Sequence, residues 1–275
     1  MIVDFATSDM ALFALALVGT GIITGLLAGA FGVGGGAVII PVLYQFLIAL
    51  HVDPAICMHI AIGTSLGIII PTSIRSFLSH RKRGAVDTGL LKSWAVPVLV
   101  GALIGTLIAD QMSNAGLKGI FAVLALMLGL RLLFGTGGVR LGDDLPGQPA
   151  LSLIGGTIGT LSVLMGIGGG TFCNTVMTLY SRPIHQAVAT SSGLGILVSV
   201  PGAVGFIWAG WGVEGLPPFS LGYVNLLGVA LVMPISTLVA PVGVRIAHAL
   251  KRRQLEVAFG TFLLIVAARF GLSFL

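Results

Sequence analysis

The sequence predicts an all-α polytopic membrane protein: two inverted repeats of about five membrane segments each, with glycine-broken half-helices. Three observations carry that expectation. Apolar residues far outnumber charged ones, the apolar residues fall into ten runs, and the two halves share short sequence matches in the same order. Hydrophobic residues make up 56% of the 275 and charged residues 8%, with a mean hydropathy of +1.09. A soluble domain carries about a quarter of its residues charged to cover its surface. The 41 glycines follow no Gly-X-Y period, which excludes collagen. Small residues in apolar stretches instead let membrane helices approach closely.

The runs are at 11–31, 34–50, 55–78, 88–109 and 117–134, then 150–166, 168–180, 186–209, 219–247 and 255–273. The first is long enough to span and is preceded by Asp4 and Asp9 with no basic residue, so it reads as a retained helix rather than a signal peptide. Residues 135–149 hold the densest glycine, proline and charge cluster and read as a polar linker. The chain therefore divides into a first transmembrane repeat at 1–134 and a second at 150–275, together one membrane domain. The second and seventh runs are short and open at glycine clusters. The seventh, 168–180, gives only about 20 Å of helix against a bilayer core of about 30 Å. It reads as a half-helix.

The matches between halves are specific. Gly32-Val-Gly-Gly-Gly36 returns as Gly166-Ile-Gly-Gly-Gly170, and His59-Ile-Ala-Ile-Gly-Thr-Ser65 as His185-Gln-Ala-Val-Ala-Thr-Ser191. Arg131 has a counterpart in Arg269. Three matches in one order, at similar spacing, indicate duplication. Charge sets the orientation. The loop Ser79-His-Arg-Lys-Arg-Gly84 is strongly basic, hence cytoplasmic, whereas its counterpart at 210–218 has no basic residue. Lys251, Arg252 and Arg253 place the loop after segment nine inside; its counterpart near Asp110 to Lys118 carries one lysine and one aspartate. Opposite bias needs an odd number of segments per copy, which five supply. Both termini are then expected outside. Inverted repeats place their substrate between the copies, near the midplane, where helices are interrupted.

Irregular backbone at membrane depth survives only where it is buried in protein or lines a cavity. The candidate binding residues therefore begin with Gly34, Gly35 and Gly36, and with Gly168, Gly169 and Gly170. Each cluster opens a helix, at Ala37 and near Thr171, and a helix N-terminus favours an anion. The same glycines would equally serve close helix packing. Thr64 and Ser65, and Thr190, Ser191 and Ser192, add hydroxyls at matched positions. Such hydroxyls also bond carbonyls of their own helix. Asn174, one turn past the second break, is a further donor whose counterpart by spacing is Ile40, so the site is not symmetric.

His59 and His185 match and lie near helix ends, where an interfacial role is expected. Arg131 and Arg269 are expected to snorkel, and Trp94, Trp208 and Trp211 to form the interfacial belt. No Asp or Glu lies deep in a span; Asp87, Asp110 and Glu256 sit at edges. That pattern disfavours cation transport and favours an anion or neutral substrate held by dipoles. Cys57 and Cys173 form no metal-ligand spacing and read as buried thiols. Metal spacing, lipid-diphosphate motifs and His–carboxylate pairs within a helix turn are absent from the sequence, so it reads as no enzyme and calls for no cofactor. The net charge of +5 sits in short loops rather than on one face, which excludes nucleic acid as a partner. The partners expected are a small anion and the lipid bilayer. An oligomeric partner is not legible, because every helix face is apolar.

With those residues in hand, the chain resembles the TauE/SafE sulfite exporter family. The resemblance rests on GLLAGAFGVGGGAVIIPVL at 25–43, AIGTSLGIIIPTS at 61–73, SHRKRGAVD at 79–87, GIGGGTF at 166–172 and AVATSSGLG at 187–195. It covers nearly the whole chain. It implies a secondary transporter in the bacterial inner membrane, probable exporter of sulfite or a related organosulfonate, with another small anion such as a carboxylate as the alternative. The family's motifs fall on the glycines and Thr-Ser pairs already singled out.

Overall fold

The computed structural model describes residues 7–31, 35–135, 141–249 and 252–273. Its first five helices are α1 (Thr7–Phe31), α2 (Gly36–Ala49), α3 (Cys57–Lys82), α4 (Thr88–Gln111) and α5 (Asn114–Phe134). Five follow in the second half: α6 (Ala150–Leu164), α7 (Gly170–Leu179), α8 (Ile184–Ala209), α9 (Leu226–Ala249) and α10 (Arg252–Leu272). A two-stranded hairpin, β1 (Ser220–Leu221) and β2 (Val224–Asn225), stands before α9. Helices suit this composition, because in hydrocarbon every backbone N–H and C=O needs a partner within the protein. Five of them (α3, α4, α5, α8 and Leu226–Gly243 of α9) are long and apolar enough to cross a membrane. The protein is an all-α polytopic membrane protein. Val96, Leu107 and Leu238 turn outward and exposed from α4 and α9, as lipid-facing residues do.

Local chemistry sets the helix starts. The Asp87 side chain accepts from the Leu90 N–H to open α4, and Ser113 accepts from the Gly116 N–H to open α5. Helices α2 and α7 open differently. Each follows a glycine in the left-handed region, Gly35 at φ 77° and Gly169 at φ 73°. Glycine adopts that conformation without the Cβ penalty.

Packing relates the two halves. Helices α3 and α8 lie together and run antiparallel: Gly63 faces Phe206, Leu66 faces Gly202, and Phe77 faces Gly193. Helices α5 and α10 also run antiparallel, with Gly129 against Gly260 and Phe121 against Phe270 at 5.4 Å between ring centroids. By contrast α1 runs parallel to α9, and α6 parallel to α4. These pairings map onto themselves when the five helices of one half are exchanged for those of the other, and equivalent central helices point in opposite directions.

The short helices form hairpins. Helix α6 ends at Leu164, the chain turns through Gly166, and Gly169 folds back against Ile158 and Ser162 of α6. The far end of α7 returns to the level where α6 began. There the Leu141 N–H donates to the Leu179 carbonyl, and Arg182 meets Asp144 at 3.3 Å. The 10 residues of α7 make about 15 Å of helix, half a bilayer core of about 30 Å. The α6–α7 pair therefore forms a hairpin that folds back on itself. In the first half, Gly35 likewise folds back against Thr24 of α1.

Two expectations need correction. Segment nine does not begin as a helix at 219. Gly222, at φ 54°, presses against the Ile207 carbonyl and makes the β1–β2 turn, and α9 starts only at Leu226. Trp94 is not an interfacial belt residue. It is fully buried where α4 meets α6, and its indole N–H donates to the Leu151 carbonyl at 3.0 Å. Trp208 and Trp211 are exposed, as a belt requires.

Candidate functional site

The tips of the two hairpins meet. A Cβ added to Gly36, the first residue of α2, would overlap the Gly166 carbonyl oxygen and stand 2.9 Å from Ser65 Oγ. Only a glycine allows that approach. Ser65 Oγ donates to the same Gly166 carbonyl at 2.9 Å, so a residue of the first half holds a turn of the second. Ile40 and Ile62 close around Gly166. At the second break, Gly168 presents its carbonyl to Gly195 of α8, and Gly169 sits among Val198, Ser162 and Ile158. Thr171, in the first turn of α7, is buried. Neither α2 nor α7 has a side chain capping its first turn. Gly34 lies outside the described residues.

The matched threonines bind across the copies. Thr190 Oγ1 accepts from the Asp87 backbone N–H at 2.9 Å, and Thr64 Oγ1 accepts from the Asn225 N–H at 2.9 Å. Asp87 and Asn225 are themselves equivalent. Each accepts a hydrogen bond from the N–H three residues on, Leu90 and Gly228, and so caps α4 or α9. Each threonine thus straps its central helix to a helix start of the opposite repeat. Ser191 and Ser192 donate to carbonyls of their own helix, Val188 at 3.0 Å and Ala189 at 2.6 Å. Asn174 is half-buried on α7, where its backbone carbonyl accepts from Thr178 Oγ1 at 2.7 Å. One residue on, the Thr175 carbonyl accepts from Arg131 at 3.2 Å, which brings that cation against α7 rather than leaving it to snorkel freely.

The matched histidines differ. His185 is exposed, as an interfacial residue should be, but His59 is buried. Its Nε2 pairs with the Ala109 carbonyl at 3.1 Å, and its ring lies 4.9 Å from that of Tyr223 in the β1–β2 turn. Burial and then the Asp110 carboxylate push the Tyr223 phenol up, so it stays neutral there. The atoms nearest Gly35, Gly36 and Gly169 include no carboxylate, and among the described residues no group of His, Cys, Asp and Glu could hold a metal.

Sequence reasoning missed several participants. Asp87 and Asn225 could have been paired through Gly84-Ala-Val-Asp87 and Gly222-Tyr-Val-Asn225, which share a glycine, a valine and a capping residue. Thr24 and Ser162 carried no such signal. Both are buried against the N-cap glycines, Ser162 through its hydroxyl and Thr24 through its methyl.

The sequence of residues 17–270 matches the family described as Sulfite exporter TauE/SafE. The chain belongs to that family. A relative in Haemophilus influenzae, described as a probable membrane transporter protein, is 32% identical over 90% of this chain and 94% of its own length. A similarly described protein of Methanocaldococcus jannaschii is 26% identical over 90% of this chain and 91% of its own. The Bacillus subtilis protein YunE, also described so, is 28% identical over 70% of this chain and 78% of its own. No solved structure matches the chain. The family and these relatives make this chain a membrane transporter.

Proposed function

We propose that this family member carries a small sulfur-containing oxyanion, sulfite or an organosulfonate, outward across the inner membrane by alternating access. The observation that carries the reading is that Gly36, the first residue of one glycine-started helix, packs on the Gly166 turn that leads into the other. The uncapped first turns of these two helices supply N–H donors and partial positive charge, and no carboxylate is among the atoms nearest their glycines. Gly34–Gly36, Gly168–Thr171, Ser65 and Asn174 form the shell, with Thr64, Thr190, Ser191 and Ser192 shaping it from the central helices. The antiparallel α3 and α8 support the inverted arrangement, with both termini outside. Rocking one repeat against the other then exposes the site to each side in turn. The substrate class comes from the family, and export accords with an inside-negative potential. About 100 mV drives each negative charge outward with about 2.3 kcal/mol.

A thermal-shift screen of the purified protein against sulfite, thiosulfate, sulfoacetate, taurine, acetate, malate and chloride tests this. A ligand at about 100 times its dissociation constant adds about 2.7 kcal/mol to the folded state. The reading expects shifts with sulfur oxyanions that are lost in the Ser65→Ala/Ser191→Ala variant. A response to acetate or malate alone would keep the site and change the substrate to a carboxylate.

A further inference from the structure

We propose that Ser162 is a binding residue for the transported oxyanion, donating its hydroxyl at the start of α7, with Thr24 its counterpart at the start of α2. The inference rests on the anion-site reading above and extends its shell to helices the motifs do not touch.

Ser162 Oγ is fully buried, has no hydrogen-bond partner, and lies 3.4 Å from where a Cβ on Gly169 would stand. It therefore points at the glycine that opens α7. Its backbone is held in place, because the Ser162 carbonyl accepts from the Ile167 N–H at 2.9 Å and closes α6. Thr24 stands at the equivalent place in the first half, with its methyl rather than its hydroxyl toward the glycine. Its hydroxyl is likewise buried and unpartnered, and its methyl fills the space where a Cβ on Gly35 would fall.

Ser93, Thr72, Thr106 and Thr157 each donate to the carbonyl four residues earlier in their own helix. That acceptor geometry is open to any helical serine or threonine. Among the described residues the buried hydroxyls of Thr24, Ser76, Ser162, Ser199 and Thr237 have no partner, and of these Ser162 Oγ is the one that stands beside an N-cap glycine, where a buried polar group without a partner demands an explanation. An oxyanion at the helix start supplies one. It has several acceptor oxygens, so it can take the first-turn N–H groups and the hydroxyl together.

The test is a sulfite titration of the full-length protein in detergent, read by thermal shift, for wild type, Ser162→Ala and Thr24→Val. Ser162→Ala should raise the sulfite concentration for half-maximal shift about tenfold or more, the effect of losing a hydrogen bond to a charged ligand. Its unliganded Tm should hold or rise, since an unpartnered buried hydroxyl is removed. Thr24→Val preserves shape and makes the same test should Ser162→Ala not fold. Wild-type sulfite response in both variants would overturn the inference and leave the anion site standing. A wild-type protein that responds to no anion would overturn the anion site itself, and this inference with it.

Discussion

The two glycine breaks share a backbone and differ in what surrounds it. Gly35 and Gly169 adopt nearly the same left-handed conformation, and each opens a helix without a side-chain cap. Beyond that point they part. Helix α2 continues for 14 residues through Val38, Ile39, Ile40 and Leu43, all buried and apolar. Helix α7 runs only 10 residues and carries Thr171, Asn174, Thr175 and Thr178. Gly35 and the Gly36 beside it are pressed against the Thr24 methyl and the Gly166 carbonyl, whereas a Cβ on Gly169 would meet nothing closer than 3.3 Å. The two halves thus share a glycine-opened helix start, followed by an apolar helix in one and a polar helix in the other.

That comparison can be broken experimentally. The largest effect should come from Gly36→Ala, whose Cβ would strike the Gly166 carbonyl and crowd Ser65. Overpacking against backbone should destabilise the protein by about 3 kcal/mol. Gly169→Ala meets nothing closer than 3.3 Å and should lose about 1 to 2 kcal/mol, from the left-handed backbone alone. Thermal unfolding of the two variants side by side measures the difference, and equal losses would erase it.

Next comes the exchange of the diverged pair. Asn174→Ile should weaken sulfite binding about tenfold or more with little change in stability. Ile40→Asn places an amide in a fully buried apolar site beside Gly166 and should lose about 2 kcal/mol of stability. A sulfite titration and a melt of each variant read both. The smallest effects should be the matched ones. Thr64→Val and Thr190→Val each leave one backbone N–H without its acceptor, that of Asn225 or Asp87, and should each lose about 1 kcal/mol. Unequal losses in melts of the two would show that the straps are not equivalent.

Much of this fold was legible from the chain alone. Each of the ten segments holds a helix, though α9 starts at Leu226 rather than at 219, and the helix openings at the glycine clusters fall within a residue of Ala37 and Thr171. Glycine in clusters is a local signal. The role of each hydroxyl was not legible, because it depends on a partner distant in sequence. Thr64 meets Asn225, 161 residues on, while Ser192 bonds its own helix. Trp94 and His59 misled for a related reason: burial inside a bundle leaves no trace when every face is apolar. The β1–β2 turn was hidden by apolar residues that suit strand and helix equally.

In the proposed arrangement the two halves face opposite sides of the membrane. Labelling single cysteines with an impermeant reagent on intact cells tests that directly, and the native background is low because Cys57 and Cys173 are buried. Cysteine placed by Val213→Cys, in the loop after α8, should label from outside, while cysteine placed by Lys82→Cys, at the end of α3, should label only after the membrane is opened. Labelling of both positions from the same side would contradict the inverted arrangement and the shared site built on it.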